Sequence, residues 1–261
     1  MKAVVVGSGI GGLAASIRLA AAGHHVVVLE RNPVVGGKVA DLDEAGYRFD
    51  LGPTMLTLPE VFDELFRRAG TTLADQLELV RLDPQVRYRW PNGSTLDIGD
   101  DPTATVAEVE RLSPGSGLAW HEFAQHAAEV WQASERTLLA GPPDASVVSR
   151  LTAPLDIGRL DGRRTLAKAS ASYFDDERLQ QLVNRYAAYS GSSPYLAPAT
   201  AANLVHVEQA HGVWHVIGGV GRLRDALARA ATSIGVELRT GADVGRISAH
   251  AGVVTGVELA D

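Results

Sequence analysis

Val4-Val5-Val6-Gly7-Ser8-Gly9-Ile10-Gly11-Gly12-Leu13, answered by Val26-Val27-Val28-Leu29-Glu30-Arg31, decides the fold class. Lys2 to Val6 is apolar and β-branched, the composition of a buried parallel strand. Ile10, Leu13, Ala14, Ile17 and the run 19–21 form a helical stripe, and Gly23 stands where that helix must stop. The run 26–29 is a second buried strand. A strand, a glycine turn, a helix and a strand ending in an acid form the unit that grips a dinucleotide by its pyrophosphate. Gly7 allows the tight turn, Gly9 brings backbone close to phosphate, and Gly12 lets the helix lie on the strand. The helix N-terminus offers its N–H groups to the anion. Glu30 stands 23 positions after Gly7, the spacing that sets a carboxylate on the adenosine ribose.

The acid also selects the ligand. A carboxylate accepts from a ribose diol and repels a 2′-phosphate, which disfavours NADP and leaves NAD and FAD open. Beyond it, Arg31-Asn32-Pro33-Val34-Val35-Gly36-Gly37-Lys38 is a short loop with paired glycines and a cation. Such a loop can lay backbone and positive charge against the far side of a pyrophosphate. Lys2, the apolar run and Ala20-Ala21-Ala22 imitate a secretory signal, but the four glycines within 7–12 and the charge at Arg18 argue against one.

The same residues carry a resemblance. Glu30-Arg31, Gly36-Gly37-Lys38 and Gly46-Tyr47-Arg48-Phe49-Asp50-Leu51-Gly52-Pro53-Thr54 resemble the FAD-dependent carotenoid desaturases of the bacterial phytoene desaturase type. These belong to a wider flavoprotein group that includes amine oxidases and protoporphyrinogen oxidase. Gly52-Pro53-Thr54-Met55-Leu56-Thr57-Leu58-Pro59-Glu60-Val61-Phe62 points to the carotenoid branch. The likeness continues at Pro194-Tyr195-Leu196-Ala197-Pro198, at Gly212-Val213-Trp214 and from Gly218 onward.

The resemblance implies roles by position. Gly7, Ser8, Gly9, Ile10, Gly11 and Gly12 would cradle the pyrophosphate, and Glu30 would hold the ribose. Arg31, Gly36, Gly37 and Lys38 would line the phosphate and ribityl side. Gly52, Pro53 and Thr54 would lie near the flavin ring, and Val244 would touch the adenine through its backbone. It implies FAD as cofactor, an apolar polyene taken from a membrane surface as substrate, and oxidation of C–C to C=C. No catalytic acid or base is named, because the flavin carries this chemistry while the protein positions the substrate and excludes water. Alternatives within the fold are a flavin amine or porphyrinogen oxidase, or a non-catalytic FAD-binding fragment. Two departures stand out. Trp214-His215-Val216-Ile217-Gly218-Gly219 lacks the Pro that the family carries before its Gly-Gly turn. Family chains also run well past the strand at Gly256-Val257-Glu258-Leu259, so the pattern here is truncated and a C-terminal partner segment is expected.

Composition sets limits. Thirty-one acidic against 24 basic residues give a net charge of −7, which with no basic–aromatic pattern disfavours nucleic acid. Zero Cys excludes disulfides, thiolate metal sites and redox dithiols. No run reaches the ~18 uninterrupted apolar residues of a membrane span, so any membrane contact is peripheral. The expected location is the cytoplasm, at the inner face of the membrane.

The expected architecture is α/β: a Rossmann-like FAD-binding domain over 1–75 and 213–261, with a largely helical substrate region inserted over 76–212. Hairpins are expected over 39–51 and around Asn92-Gly93, and helices over 59–69 and 118–139. A further helix is expected after an Asp175 N-cap. The pattern after 212 predicts strands at 213–217 and 236–239, a helix over 223–234, and strands near 246–248 and 253–259. Gly141-Pro142-Pro143-Asp144 and the run 190–194 read as loops. The stripe Trp120, Phe123, Ala127, Val130 and Trp131 is core or the wall of an apolar tunnel. Arg163-Arg164 reads as a solvated loop and His24-His25 as a solvated turn. His206, Glu208, His211 and His215 read as surface or cleft residues rather than a metal set, because Gly212 breaks the helix between them. Tyr186, Tyr189 and Tyr195 are candidates for the cleft.

Overall fold

A computed structural model describes residues 1–139 and 158–260, so the loop expected at 141–144 lies outside the described residues. The chain divides into two compact units, Met1–Arg81 with Trp214–Asp261, and Leu82–Val213.

In the first unit, β1 (Lys2–Val6) pairs in parallel with β2 (His25–Leu29), Val4 opposite Val27. The glycine turn and α1 (Ile10–Ala21) make the crossover. After a long excursion, α9 (Gly221–Ser233) delivers β9 (Glu237–Arg239) to the other edge of β2, giving the order β1-β2-β9. Leu13 and Ile17 of α1 and Leu223 and Leu227 of α9 are buried with Val26 and Val28 in one core. Each such side chain contributes about 1.5–3 kcal/mol by leaving water. This packing, rather than helix propensity, keeps α1 in place over the strands.

Smaller elements frame that core. β3 (Asp41–Glu44) and β4 (Tyr47–Asp50) form a hairpin whose turn places Ala45 and Gly46 at positive φ. α2 (Pro59–Arg68) buries Leu65 and Phe66. α3 (Leu73–Gln76) starts in a reciprocal capping box between Thr72 and Asp75. β5 (Leu79–Arg81) is antiparallel to β8 (Trp214–Val216), with Arg81 opposite Trp214. That pair moves the first break between units to residue 81, later than the 75 expected from the sequence. β10 (Val244–His250) and β11 (Val253–Leu259) form the last hairpin.

The second unit begins with the hairpin β6 (Val86–Arg89) and β7 (Thr95–Ile98), turned at Asn92-Gly93. Helices α4 (Pro102–Leu112), α5 (Gly117–Leu139), α6 (Leu166–Tyr173), α7 (Glu177–Asn184) and α8 (Asn203–His211) follow. Trp120 and Phe123 of α5 meet Phe174 at ring separations of 6.0 and 5.6 Å, inside the core of this unit. Trp120, Phe123 and Ala127 of the aromatic stripe are therefore core, and Val130 and Trp131 are buried as well.

Three local readings are corrected. The N-cap of α7 is Asp176, whose carboxylate accepts from Arg178 N–H at 2.9 Å, not Asp175. Two adjacent aspartates satisfy the same sequence rule, and the paired Arg178 side chain selects the second. His25 is the first residue of β2 rather than part of the turn before it. Arg164 is not simply solvated: it bonds Asp161 at 2.7 Å and Ser172 at 2.8 Å, and stacks over Tyr173.

Candidate functional site

The site grows from the turn between β1 and α1. Gly7 has φ 91°, a conformation that side chains resist. A Cβ on Gly12 would run into the Gly7 carbonyl and sit 3.5 Å from Val5 Cγ1, so only glycine lets α1 lie this close to β1. Gly9 is the N-cap, extended, with no side-chain cap and no acid in the first turn. The positive end of the helix is thus left to whatever stands in front of it.

The second glycine pair closes on the first. Gly36 N–H donates to Ser8 O at 2.9 Å, and Gly9 and Gly36 form an isolated parallel bridge. A Cβ on Gly37 would stand 3.2 Å from Gly9 Cα. Arg224 of α9 braces this loop: its stem fills the space beside Gly36, and Nη1 bonds Asp41 Oδ1 at 2.6 Å and Val39 O at 3.3 Å. The Arg224 guanidinium, with Arg48, holds Asp41 below the usual carboxylate range against its burial. Gly52 in turn packs on the Lys38 carbonyl.

A cleft of about 400 Å³ results, lined by Gly7, Gly9, Glu30, Arg31, Gly37 and Val244. Ile10, Gly11, Gly12, Gly36 and Lys38 flank it along the chain without lining it, and Gly52, Pro53 and Thr54 are exposed and do not line it. Val244 arrives through two backbone bonds, Ala242 N–H to Glu30 O at 2.8 Å and Gly241 N–H to Asn32 O at 3.1 Å.

Glu30 is only 5% exposed, yet both of its carboxylate oxygens are hydrogen-bonded. Oε2 accepts from Ser8 N–H and Ser8 Oγ, both at 2.8 Å. Oε1 accepts from Asn32 N–H at 2.9 Å and Asn32 Nδ2 at 2.7 Å. Burial pushes its pKa up, but the Asn32 and Ser8 N–H groups and both side chains outweigh burial and hold it at about 2. Asn32 was not singled out from the sequence. Its short amide two residues past an acid is the only signal there, and it reads equally as a turn residue.

Of the remaining candidates, His215 is half-buried in β8 of the first unit, and the others fall in the second unit or on the surface. Glu208 of α8 accepts from Tyr186 Oη at 2.6 Å and Tyr189 Oη at 2.5 Å, and pairs with Arg185 at 3.2 Å. Burial and the Glu208 charge push the Tyr189 phenol up to about 12. These bonds occupy Glu208, and His211 packs edge-on against Trp131. Among the described residues no group of three or more metal-ligating side chains forms. Tyr195 is 74% exposed.

The comparisons agree with this geometry. The profile of the family "Flavin containing amine oxidoreductase" matches residues 10–261. Along its whole length the chain is 41% identical to a hydroxyneurosporene desaturase of Cereibacter sphaeroides, covering 53% of that protein. It is 32% identical to a 4,4′-diapolycopene oxygenase of Methylomonas, again covering 53%. It thus spans about half the length of the curated relatives it matches. A solved oxidoreductase from Methanosarcina mazei superposes with a TM-score of 0.67 at 21% identity, over 100% of this chain and 57% of that one. A putrescine oxidase superposes at 0.62 and 19%, over 98% and 54%. An ionised, buried carboxylate at the end of β2 and glycine backbone on two sides of the cleft fit the ribose and pyrophosphate of FAD. The chain belongs to the flavin-containing amine oxidoreductase family, with FAD as its cofactor.

Proposed function

We propose that this chain is the FAD-binding part of an oxidoreductase that dehydrogenates a carotenoid-like polyene. The observation that carries this is its 41% identity, along the entire chain, to a hydroxyneurosporene desaturase. When bound, FAD supplies the hydride acceptor for a C–H bond beside a conjugated chain. The residues here do the holding. Glu30 takes the ribose hydroxyls, backbone at Gly7, Gly9 and Gly37 meets the pyrophosphate, and Val244 backs the adenine. Arg31 and Lys38 add positive charge, and Gly52, Pro53 and Thr54 lie toward the flavin ring. No titratable pair is required, because the carbon acid is oxidised by the cofactor. The substrate would be drawn from a membrane surface by peripheral contact at the cytoplasmic face. No helix among the described residues is long and apolar enough to cross a membrane.

A second observation supports a partner segment. β1 has no neighbour on its outer side among the described residues, and Val4 and Val6 are 44% and 52% exposed. In a doubly wound sheet the first strand lies in the middle. A further polypeptide segment, equivalent to the second half of the relatives, would cover that edge.

The test is the visible absorption spectrum of the purified chain with added FAD, beside a Gly9→Val variant. A flavin spectrum retained after desalting by the chain, and lost in the variant, is the expected result. Retention only after adding the C-terminal half of a relative would assign part of the site to that half. Oxidation of amines with no polyene desaturation by the assembled protein would overturn the substrate reading.

A further inference from the structure

We propose that Asp50 is a positioning residue for the strip Gly52-Pro53-Thr54, which it fastens to the start of α9. The proposal rests on the FAD reading above, in which that strip lies toward the flavin ring, and goes beyond it by assigning what fixes the strip.

β4 alternates in the unusual sense. Tyr47 and Phe49 stack on one another and are exposed, while Arg48 and Asp50 point back toward the turn before α9. A surface strand ordinarily buries its apolar residues and shows its charged ones to water. The turn is shaped to receive the charged side. A Cβ on Gly219, which has φ 89°, would stand 2.9 Å from Asp50 Oδ1, and one on Gly221 would stand 3.1 Å from Arg48 Nη2. Asp50 Oδ2 accepts from Val220 N–H at 3.3 Å, across 170 positions of sequence. α9 has no side-chain cap of its own and no acid in its first turn, so Asp50 brings the negative charge that this helix end favours. Arg224 and Asp41 tie β3 to the same helix, and Asp50 is the tie on β4, the strand that runs into the strip.

This bond has a counterpart. Six residues on, Leu56 N–H donates to Trp214 O at 2.9 Å and Leu56 O accepts from Trp214 N–H at 2.8 Å. Trp214 stands six residues before Val220. Residues 50–56 and 214–220 are therefore two antiparallel strips of seven residues, tied at both ends. No backbone hydrogen bond joins 51–55 to 215–219 among the described residues, and Gly52, Pro53 and Thr54 are exposed between the ties. Gly52 has no side chain and Pro53 no N–H, so the course of this span is set from its ends. A shift of about an ångström is enough to lose a ring contact.

FAD and ADP share the adenosine and the pyrophosphate, so the ratio of their affinities reads the flavin end of the site alone. Both are measured by calorimetry for the unaltered chain, Asp50→Ala and Asp50→Asn. Ala removes the acceptor, and Asn keeps an oxygen in its place. Expected for Asp50→Ala is an FAD affinity about three- to tenfold weaker, with ADP affinity within about twofold of the unaltered chain. The visible band of the bound flavin should shift as well. Asp50→Asn should recover most of the FAD affinity. Without nucleotide, hydrogen exchange at Val220 N–H should be about tenfold faster in Asp50→Ala. Asp50→Ser, too short to reach Val220 N–H, carries the same expectations should Asp50→Ala not fold.

Equal weakening of FAD and ADP would mean that the whole unit was loosened, and would overturn the proposal. So would unchanged affinity for both, or unchanged exchange at Val220. An unaltered chain that binds FAD no more tightly than ADP would overturn it too, since the strip would then touch no flavin, while the nucleotide grip would stand. Binding of neither nucleotide by the unaltered chain would instead remove the FAD reading itself, and the role of Asp50 with it.

Discussion

A buried carboxylate must either stay protonated or be surrounded by donors, and Glu30 takes the second course with Ser8 and Asn32. This has a consequence for stability. Its folded pKa, about 2, lies below the unfolded value of 4.5. A depressed carboxylate contributes stability above its unfolded pKa and loses it as pH falls through the folded one. The window therefore runs downward from about 4.5 to about 2. Glu30→Gln is expected to flatten that part of the pH–stability curve by roughly 2–3 kcal/mol. Urea midpoints at neutral pH and near pH 3 check it, and parallel curves for the two proteins would contradict it. At this scale the glycines and the acid were legible in the sequence, because each answers a backbone or charge demand that few residues meet. Asn32 was not, because a loop amide looks the same whether it points at water or at Glu30.

Helix ends and hairpin turns were also legible where one residue type fits the backbone, as at Gly23, Asn92-Gly93 and Gly212. They failed where neighbours compete or where a partner is distant. Asp175 and Asp176 both qualify as a cap, and only the structure shows Asp176 bonding Arg178 N–H and its guanidinium. Asp176→Ala is expected to cost about 1 kcal/mol or somewhat more, with Asp175→Ala within about 0.5 kcal/mol of the parent protein. Chemical denaturation of the two variants decides it, and equal losses would return the cap to Asp175. β5 escaped notice for the other reason. A strand of three residues carries almost no periodic signal, and its partner β8 comes only after the whole second unit. Long-range pairing overrode local pattern there.

For the molecule as a whole, the split order of the first unit could be read because two α/β patterns flank a helical stretch. The location of the break could not, since it depends on the β5–β8 pair. That pair has a further meaning. Arg81 and Trp214 are directly opposite one another in an antiparallel ladder, the positions that a two-residue hairpin loop joins. In topological terms, the second unit is an ornament threaded into a hairpin, and the hairpin is complete without it. Replacing residues 82–213 by Asn-Gly should give a minimal protein that melts in one cooperative transition and binds ADP within about tenfold of the full chain. A product that expresses but shows no transition would mean that the two units fold as one. If it does fold, the nucleotide grip is self-sufficient, and the insert can be exchanged while the grip stays as it is.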